Sequence, residues 1–187
     1  EAVIERLPDI KYVQYIGLAL NKRGFFRALQ TREGNKRGVD EVGLVAIASD
    51  TFADKNQGQT RQGSVDISKE IIGMAKRENI GVQVTISAAF GCPFEGEIPI
   101  DTIVNMAIEL AEAGPREIAI ADTIGVGVPN QVEELVSKLK EALPDMPLRA
   151  HFHNTRNTGI ANAWVAFKGG VGTLDSSVGG LGGCPFA

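Results

Sequence analysis

The feature that most constrains the fold is a regular alternation of short apolar runs with longer amphipathic segments. Short apolar runs with branched side chains are typical of buried strands, and apolar residues three and four apart are typical of helices. This rhythm predicts an α/β protein with a parallel sheet, either doubly wound or closed into an eight-stranded barrel. The predicted strands span residues 11–18, 41–48, 80–87, 117–121, 148–152 and 171–175.

Between these strands the sequence predicts helices joined by polar loops. A short helix is expected over 25–31, and a polar loop over 49–63 leads to a helix that Ser64 caps. Asp101 is expected to cap the next helix, which Gly114 ends. Two further helices are expected, one that Pro129 opens and that runs to residue 142, and one over about 158–168.

Polar side chains gather where the predicted strands end. Because parallel α/β folds place their sites at the carboxyl ends of strands, this position predicts one functional edge. For a single residue the alternative is a helix cap or a turn, which we favour for Ser49 and Ser87. No GxGxxG or P-loop follows a strand, which counts against nucleotide binding. The residues at this edge are Asn21, Ser49, Ser87, Asp122, His151, His153 and Asp175.

His151 and His153 are the two histidines of the chain, and they lie two residues apart on one predicted strand. Side chains alternate along a strand, so both imidazoles point to the same face, about 7 Å apart along the backbone. Two imidazoles on one face can bind one divalent cation. The alternative is a pair of hydrogen-bonded histidines that shapes a loop.

The closing segment, residues 179–187, holds Cys184 among four glycines. Glycine leaves little side-chain packing, so a thiol here is expected to be mobile and accessible. The alternative is a flexible turn with an incidental cysteine. For Cys92, in a different loop, we expect a packing role.

Composition excludes several classes of function. Nineteen basic and twenty-three acidic residues give a net charge of -4, and no basic block suggests nucleic acid. No apolar run is long enough to cross a membrane. Two cysteines in 187 residues fit a reducing compartment. The chain starts without a methionine, so we expect both ends to be cut.

Five motifs together resemble the 3-hydroxy-3-methylglutaryl-CoA lyases, which belong to a superfamily of metal-dependent lyases and synthases. They are Gly17-Leu18, residues 21–24, GCPFEG at 91–96, ADTIGVG at 121–127, and the stretch 148–187 with His-x-His, Asp-Ser-Ser-Val and GLGGCPFA. The resemblance implies a TIM (β/α)8 barrel, of which residues 1–187 form a single domain with strands three to eight. The first two strands and the final helix of such a barrel have no counterpart here.

The resemblance also implies the chemistry: retro-Claisen cleavage of 3-hydroxy-3-methylglutaryl-CoA, or of a close 3-alkyl analogue, to acetyl-CoA and acetoacetate. His151 and His153 would bind Mg2+ or Mn2+, His151 or Asp122 would act as the base, and Cys184 would be the mobile catalytic thiol. Two further ligands of the family, an aspartate and an asparagine, have no counterpart in this sequence. We therefore expect these residues alone to bind metal weakly or not at all.

One departure from the family concerns the substrate. Residues 154–157 read Asn-Thr-Arg-Asn where the lyases typically have Asp-Thr-Tyr-Gly. Arg156 adds a cation that could meet an anionic group of the substrate. With Asn21 and Ser49, it is our candidate for binding the acyl-CoA.

The resemblance further implies a homodimer and a place in leucine degradation and ketone-body metabolism. We expect a cytoplasmic protein if the source is bacterial, and possible residence in the mitochondrial matrix if it is eukaryotic. Two alternatives stay open: a condensing synthase that joins an acyl-CoA to a 2-oxo acid, which His-x-His-Asn favours, and an inactive barrel segment that folds by pairing with another chain.

Overall fold

The sheet is parallel throughout, and each strand lies beside its neighbours in sequence. This arrangement is seen in a computed structural model that describes residues 3–34 and 37–181. In a doubly wound sheet the strand order reverses at a switch point, whereas here it runs from first to last without reversal. The strands are β1 Ile16–Leu18, β2 Glu41–Ile47, β3 Gly81–Ser87, β4 Glu117–Asp122, β5 Leu148–Phe152 and β6 Thr173–Leu174. The fold is thus a partial TIM barrel, as predicted.

Helices connect successive strands and pack against their neighbours in order along one face of the sheet. They are α1 Lys22–Gln30, α2 Asp50–Gln57, α3 Arg61–Arg77, α4 Ile100–Glu112, α5 Pro129–Ala142 and α6 Gly159–Lys168, with 3-10 turns at Ile4–Arg6 and Val178–Gly180. Within the described residues, none of the helices is both long and apolar enough to span a bilayer.

The two faces of the sheet differ in chemistry because side chains alternate along each strand. Ile118 and Ile120 of β4 and Leu148 of β5 are buried in the main core beneath the helices. On the other face, Arg149 and His151 of β5 are only partly buried. The helix-covered face therefore holds the core, while the opposite face can carry polar groups.

The predicted polar loop over 49–63 is wrong, because α2 and the start of α3 occupy it. Helix α2 has only Phe52 and Ala53 buried, so its sequence lacks a clear apolar stripe. Its boundaries did carry a signal, since Ser49 caps its start and Gly58 ends it in the left-handed conformation, at a φ of 66°.

Two predicted helix caps are also wrong. Thr60 caps α3, and Ser64 lies inside the helix, where its hydroxyl accepts a hydrogen bond from the backbone N–H of Ile47 at 3.0 Å. Helix α4 starts after Pro99, and Asp101 lies in its first turn. The edge strands β1 and β6 are shorter than predicted.

Candidate metal site and active site

His151 in β5 and His153 just after it face each other at the carboxyl end of the strand. Their Nε2 atoms are 3.1 Å apart, and their ring centroids are 5.0 Å apart. Burial lowers the pKa of His153, the neighbouring His151 lowers it further, and the negative charge of Asp122 opposes both effects. A neutral imidazole is the form that binds a metal, so His153 is suited to be a ligand.

The spacing of the two nitrogens fits a shared cation. Two nitrogens 3.1 Å apart, each about 2.1 Å from one ion, would subtend an angle of about 95°. That angle is close to the right angle between adjacent ligands of an octahedral ion. Among residues 3–34 and 37–181, however, no three His, Cys, Asp or Glu side chains are grouped to hold a metal. The pair therefore fits part of a metal site.

Asp175, just after β6, holds the ring of His151. Its Oδ2 atom lies 3.0 Å from Nδ1 of His151, and its Oδ1 atom accepts a hydrogen bond from Arg149 at 2.7 Å. Burial by itself would raise the pKa of Asp175, but these two hydrogen bonds and the nearby positive charges hold it below its usual range. The carboxyl group is thus an ionised acceptor for the imidazole.

Asp122, at the end of β4, has a different environment. It is fully buried, and its two oxygens accept hydrogen bonds from the backbone N–H groups of Val126 and Gly127, both at 3.0 Å. Burial raises the pKa of Asp122, while these N–H groups, that of Gly125 and the charge of His153 oppose the rise. The side chain fixes the turn that follows β4.

Asn21 and Ser49, the predicted substrate contacts, both cap helices. The side-chain oxygen of Asn21 accepts from the N–H of Gly24 at 2.9 Å at the start of α1. Ser49 is buried, and its hydroxyl accepts from the N–H of Phe52 at 3.1 Å. The helix-cap alternative is confirmed for Ser49, and a substrate contact for either residue stays a prediction.

Arg156 is exposed and lines an open cavity of about 310 Å³. The loops after β3 and β4 form much of its wall, with Glu97 and Gln131 among the polar lining residues. Asn154, in the same loop as Arg156, accepts from the N–H of Gly159 at 3.0 Å and so anchors the loop to α6.

The two cysteines fall in different parts of the chain. Cys184, the predicted catalytic thiol, lies outside the described residues. Cys92 is buried beside Ile47 and Phe52, and its thiol lies 3.0 Å from the hydroxyl of Ser49. The predicted packing role of Cys92 is confirmed.

Two residues of the site were not predicted from the sequence, Arg149 and Glu117. The Nε atom of Arg149 donates to Oε2 of Glu117 at 2.6 Å, which joins β5 to β4. A signal was present, since Arg149 interrupts the apolar run of its strand and lies two residues before His151. Residues two apart on a strand share a face.

Parallel strands in sequence order with a histidine pair at their carboxyl edge define the class, a TIM-barrel protein with its site at the strand ends. The HMGL-like family model matches residues 11–184, and the chain belongs to that family.

Three proteins illustrate how similar this chain is to known lyases. The chain is 37% identical over 95% of its length to the hydroxymethylglutaryl-CoA lyase YngG of Bacillus subtilis, of which it covers 57%. It is 36% identical over 93% of its length to the (R)-citramalyl-CoA lyase of Chloroflexus aurantiacus, of which it covers 53%. The structure of an HMG-CoA lyase from Acinetobacter baumannii with coenzyme A and 3-methylmalate matches all of this chain at a TM-score of 0.89 and 33% identity, with 59% of that chain covered. The chain thus spans a little over half the length of these relatives.

Proposed function

We propose that this chain supplies part of the active site of a divalent-metal-dependent carbon–carbon lyase that cleaves 3-hydroxy-3-methylglutaryl-CoA or a close analogue. The observation that carries the proposal is the pair of Nε2 atoms 3.1 Å apart at the carboxyl edge of an HMGL-like chain. The products would be acetyl-CoA and acetoacetate.

His151 and His153 would hold the cation, which lyases of this family generally require. The choice of Mg2+ or Mn2+ is part of the proposal, and the remaining ligands would be oxygen donors, which these hard cations prefer. When bound, the cation would polarise the hydroxyl and carboxylate oxygens of the substrate.

The proton steps would fall to side chains of this chain. A base takes the proton of the substrate hydroxyl, the carbon–carbon bond breaks, and the hydroxyl carbon becomes the ketone of acetoacetate. The bond electrons pass to the acetyl-CoA enolate, whose carbon then takes a proton from the thiol of Cys184.

His151 and Asp122 both stay candidates for the base, because both oxygens of Asp122, like both nitrogens of His151, already have partners. Both nitrogens of His151 are engaged, Nδ1 with Asp175 and Nε2 with His153. The raised pKa of Asp122 makes its carboxylate a stronger base than an ordinary aspartate. Arg156 would meet an anionic group of the acyl-CoA, and Asn21 and Ser49 stay candidates for contact with it.

Relatives of this chain are named for different acyl groups. The decisive assay therefore offers the complete enzyme, of which this chain supplies part of the active site, 3-hydroxy-3-methylglutaryl-CoA and citramalyl-CoA in parallel, with Mg2+ and with Mn2+. We expect metal-dependent release of acetyl-CoA from at least one thioester, and a large loss of turnover on Cys184→Ser with metal binding unchanged. Release of acetyl-CoA from neither substrate would contradict the proposal.

The condensing synthase is the competing reaction. Incubation with acetyl-CoA and a 2-oxo acid should give no condensed product if the lyase proposal is correct.

A homodimer is also part of the proposal. The proposed compartment is the cytoplasm or the mitochondrial matrix, because relatives are named as cytoplasmic and as mitochondrial.

A further inference from the structure

Arg149 lies two residues before His151, and its side chain is on the same face of β5 as that of His151. Its guanidinium reaches two carboxylates in different directions. Nε donates to Glu117 at 2.6 Å, and Nη1 donates to Asp175 at 2.7 Å. The Arg149 side chain is only 18% exposed, so these contacts are partly shielded from water.

The contact with Asp175 fixes the carboxylate that meets His151. One oxygen of Asp175 is bound to Arg149, so the other is directed at Nδ1 of His151, 3.0 Å away. An ionised carboxylate can only accept a hydrogen bond, which places the imidazole proton on Nδ1. The lone pair of His151 is then on Nε2, the atom that faces His153.

The contact with Glu117 fixes Arg149 itself. The second oxygen of Glu117 accepts a hydrogen bond from the hydroxyl of Thr173 at 2.6 Å. Thr173 is the residue that pairs with Arg149 in the register of β5 and β6. The guanidinium is therefore held by a carboxylate of β4 that is itself fixed by a hydrogen bond from β6.

We propose that Arg149 is a positioning residue that sets the tautomer of His151 through Asp175 and so turns Nε2 toward the metal position. The inference deepens the proposed function and rests on it only for the identity of what binds at Nε2. A hydrogen bond to the second ring nitrogen commonly sets which nitrogen of a histidine binds metal. Here an arginine held by Glu117 fixes the group that makes that bond.

The competing explanation is that Arg149 only joins the short edge strand β6 to its neighbours. Such a structural role would contribute to stability without affecting the protons of His151. The two roles also differ in their demand for arginine. Lysine keeps the charge but lacks a planar fork that donates in two directions.

The test is the tautomer of His151 in the metal-free protein, measured by long-range 1H–15N NMR correlation at a pH of about 8.5, where ordinary imidazoles are neutral. We expect the Nδ1–H form to exceed about nine-tenths in the wild type, since the carboxylate accepts only that proton. In Arg149→Met and in Arg149→Lys, it should fall to about half or less because the carboxylate loses its fixed orientation.

Arg116→Met is the matched control. It breaks another arginine–glutamate pair of this sheet, Arg116 with Glu41 at 3.1 Å, and leaves Asp175 untouched. The control should keep the wild-type tautomer. An unchanged tautomer in a folded Arg149→Met protein, or full rescue by Arg149→Lys, would overturn the proposal.

If Arg149→Met fails to fold, Glu117→Gln gives a milder test, because it weakens the hold on Arg149 while keeping the volume of the side chain. A lowered Nδ1–H fraction in that variant supports the proposal, and an unchanged fraction contradicts it. The measurement needs neither metal nor substrate. A failed lyase assay would therefore leave this result standing, and a failed tautomer test would leave the lyase proposal standing.

Discussion

The ends of β4 and β6 each carry an aspartate, and the two carboxylates have opposite properties. Asp122 is fully buried and bound by backbone N–H groups of its own turn, and burial raises its pKa. Asp175 is partly exposed and bound by side chains of β5, which hold its pKa below the usual range against the effect of burial.

The difference shows that position at a strand end does not determine the role of a residue. The partners of Asp122 are local, so its contacts contribute first to the shape of the turn after β4. The partners of Asp175 come from a neighbouring strand, so its contacts orient a histidine. Variants at Asp122, His151 and Asp175 test this contrast, and a variant at Glu41 adds a third carboxylate for comparison.

The largest effect on stability is expected for Asp122→Ala. It removes the acceptor of two N–H groups and should lower the free energy of unfolding by about 2–4 kcal/mol. Urea denaturation measures this loss. Asp122→Asn, which keeps one acceptor oxygen, should lose roughly half as much. Wild-type stability in Asp122→Ala would mean that the turn does not depend on the carboxylate.

The largest effect on metal binding is expected for His151→Ala. Loss of one of two nitrogen ligands should weaken Mn2+ binding about 100-fold or abolish it, since even a residue behind a ligand is worth about 10-fold. Titration calorimetry of the complete enzyme, which carries the remaining ligands, would measure the affinity. The side chain of His151 is 42% exposed, so the stability should change by less than about 1 kcal/mol. Unchanged Mn2+ affinity would show that the histidine pair does not bind the metal.

A smaller effect on metal binding is expected for Asp175→Asn. The variant should weaken Mn2+ binding about 10-fold, as a change behind a ligand does, and lower stability by no more than about 1 kcal/mol. If Asp175→Asn instead destabilised the fold as much as Asp122→Ala, the contrast between the two strand ends would fail.

The smallest effect concerns Glu41, a buried carboxylate at the amino end of β2. Burial raises its pKa, Arg116 opposes the rise, and Glu117 adds to it. The folded state then holds the proton more tightly than the unfolded state, so the contribution of Glu41 to stability falls as pH rises from the ordinary carboxyl pKa through the raised one. Denaturation of the wild type and of Glu41→Gln across this window should show a decline that the variant lacks. Parallel curves would contradict the raised pKa.

Much of the architecture could be predicted from the sequence. The bounds of β5 and of α5 were correct, and the polar groups at the strand ends were placed on one edge. These elements have strong local signals: a short apolar run over residues 148–152, and a proline that opens a helix. Helix α2 was missed because it buries few apolar side chains, and its capping signals alone did not outweigh its polar composition.

The sequence by itself determined the parallel α/β class and the common face of His151 and His153. Both follow from local periodicity, which depends on residues close together in the chain. Only the tertiary structure decided what surrounds each polar group. Arg149 meets Glu117 and Asp175 across three strands, and Asp122 is enclosed where Asp175 is not. Such contacts join residues far apart in sequence, and burial depends on the packing of the whole sheet.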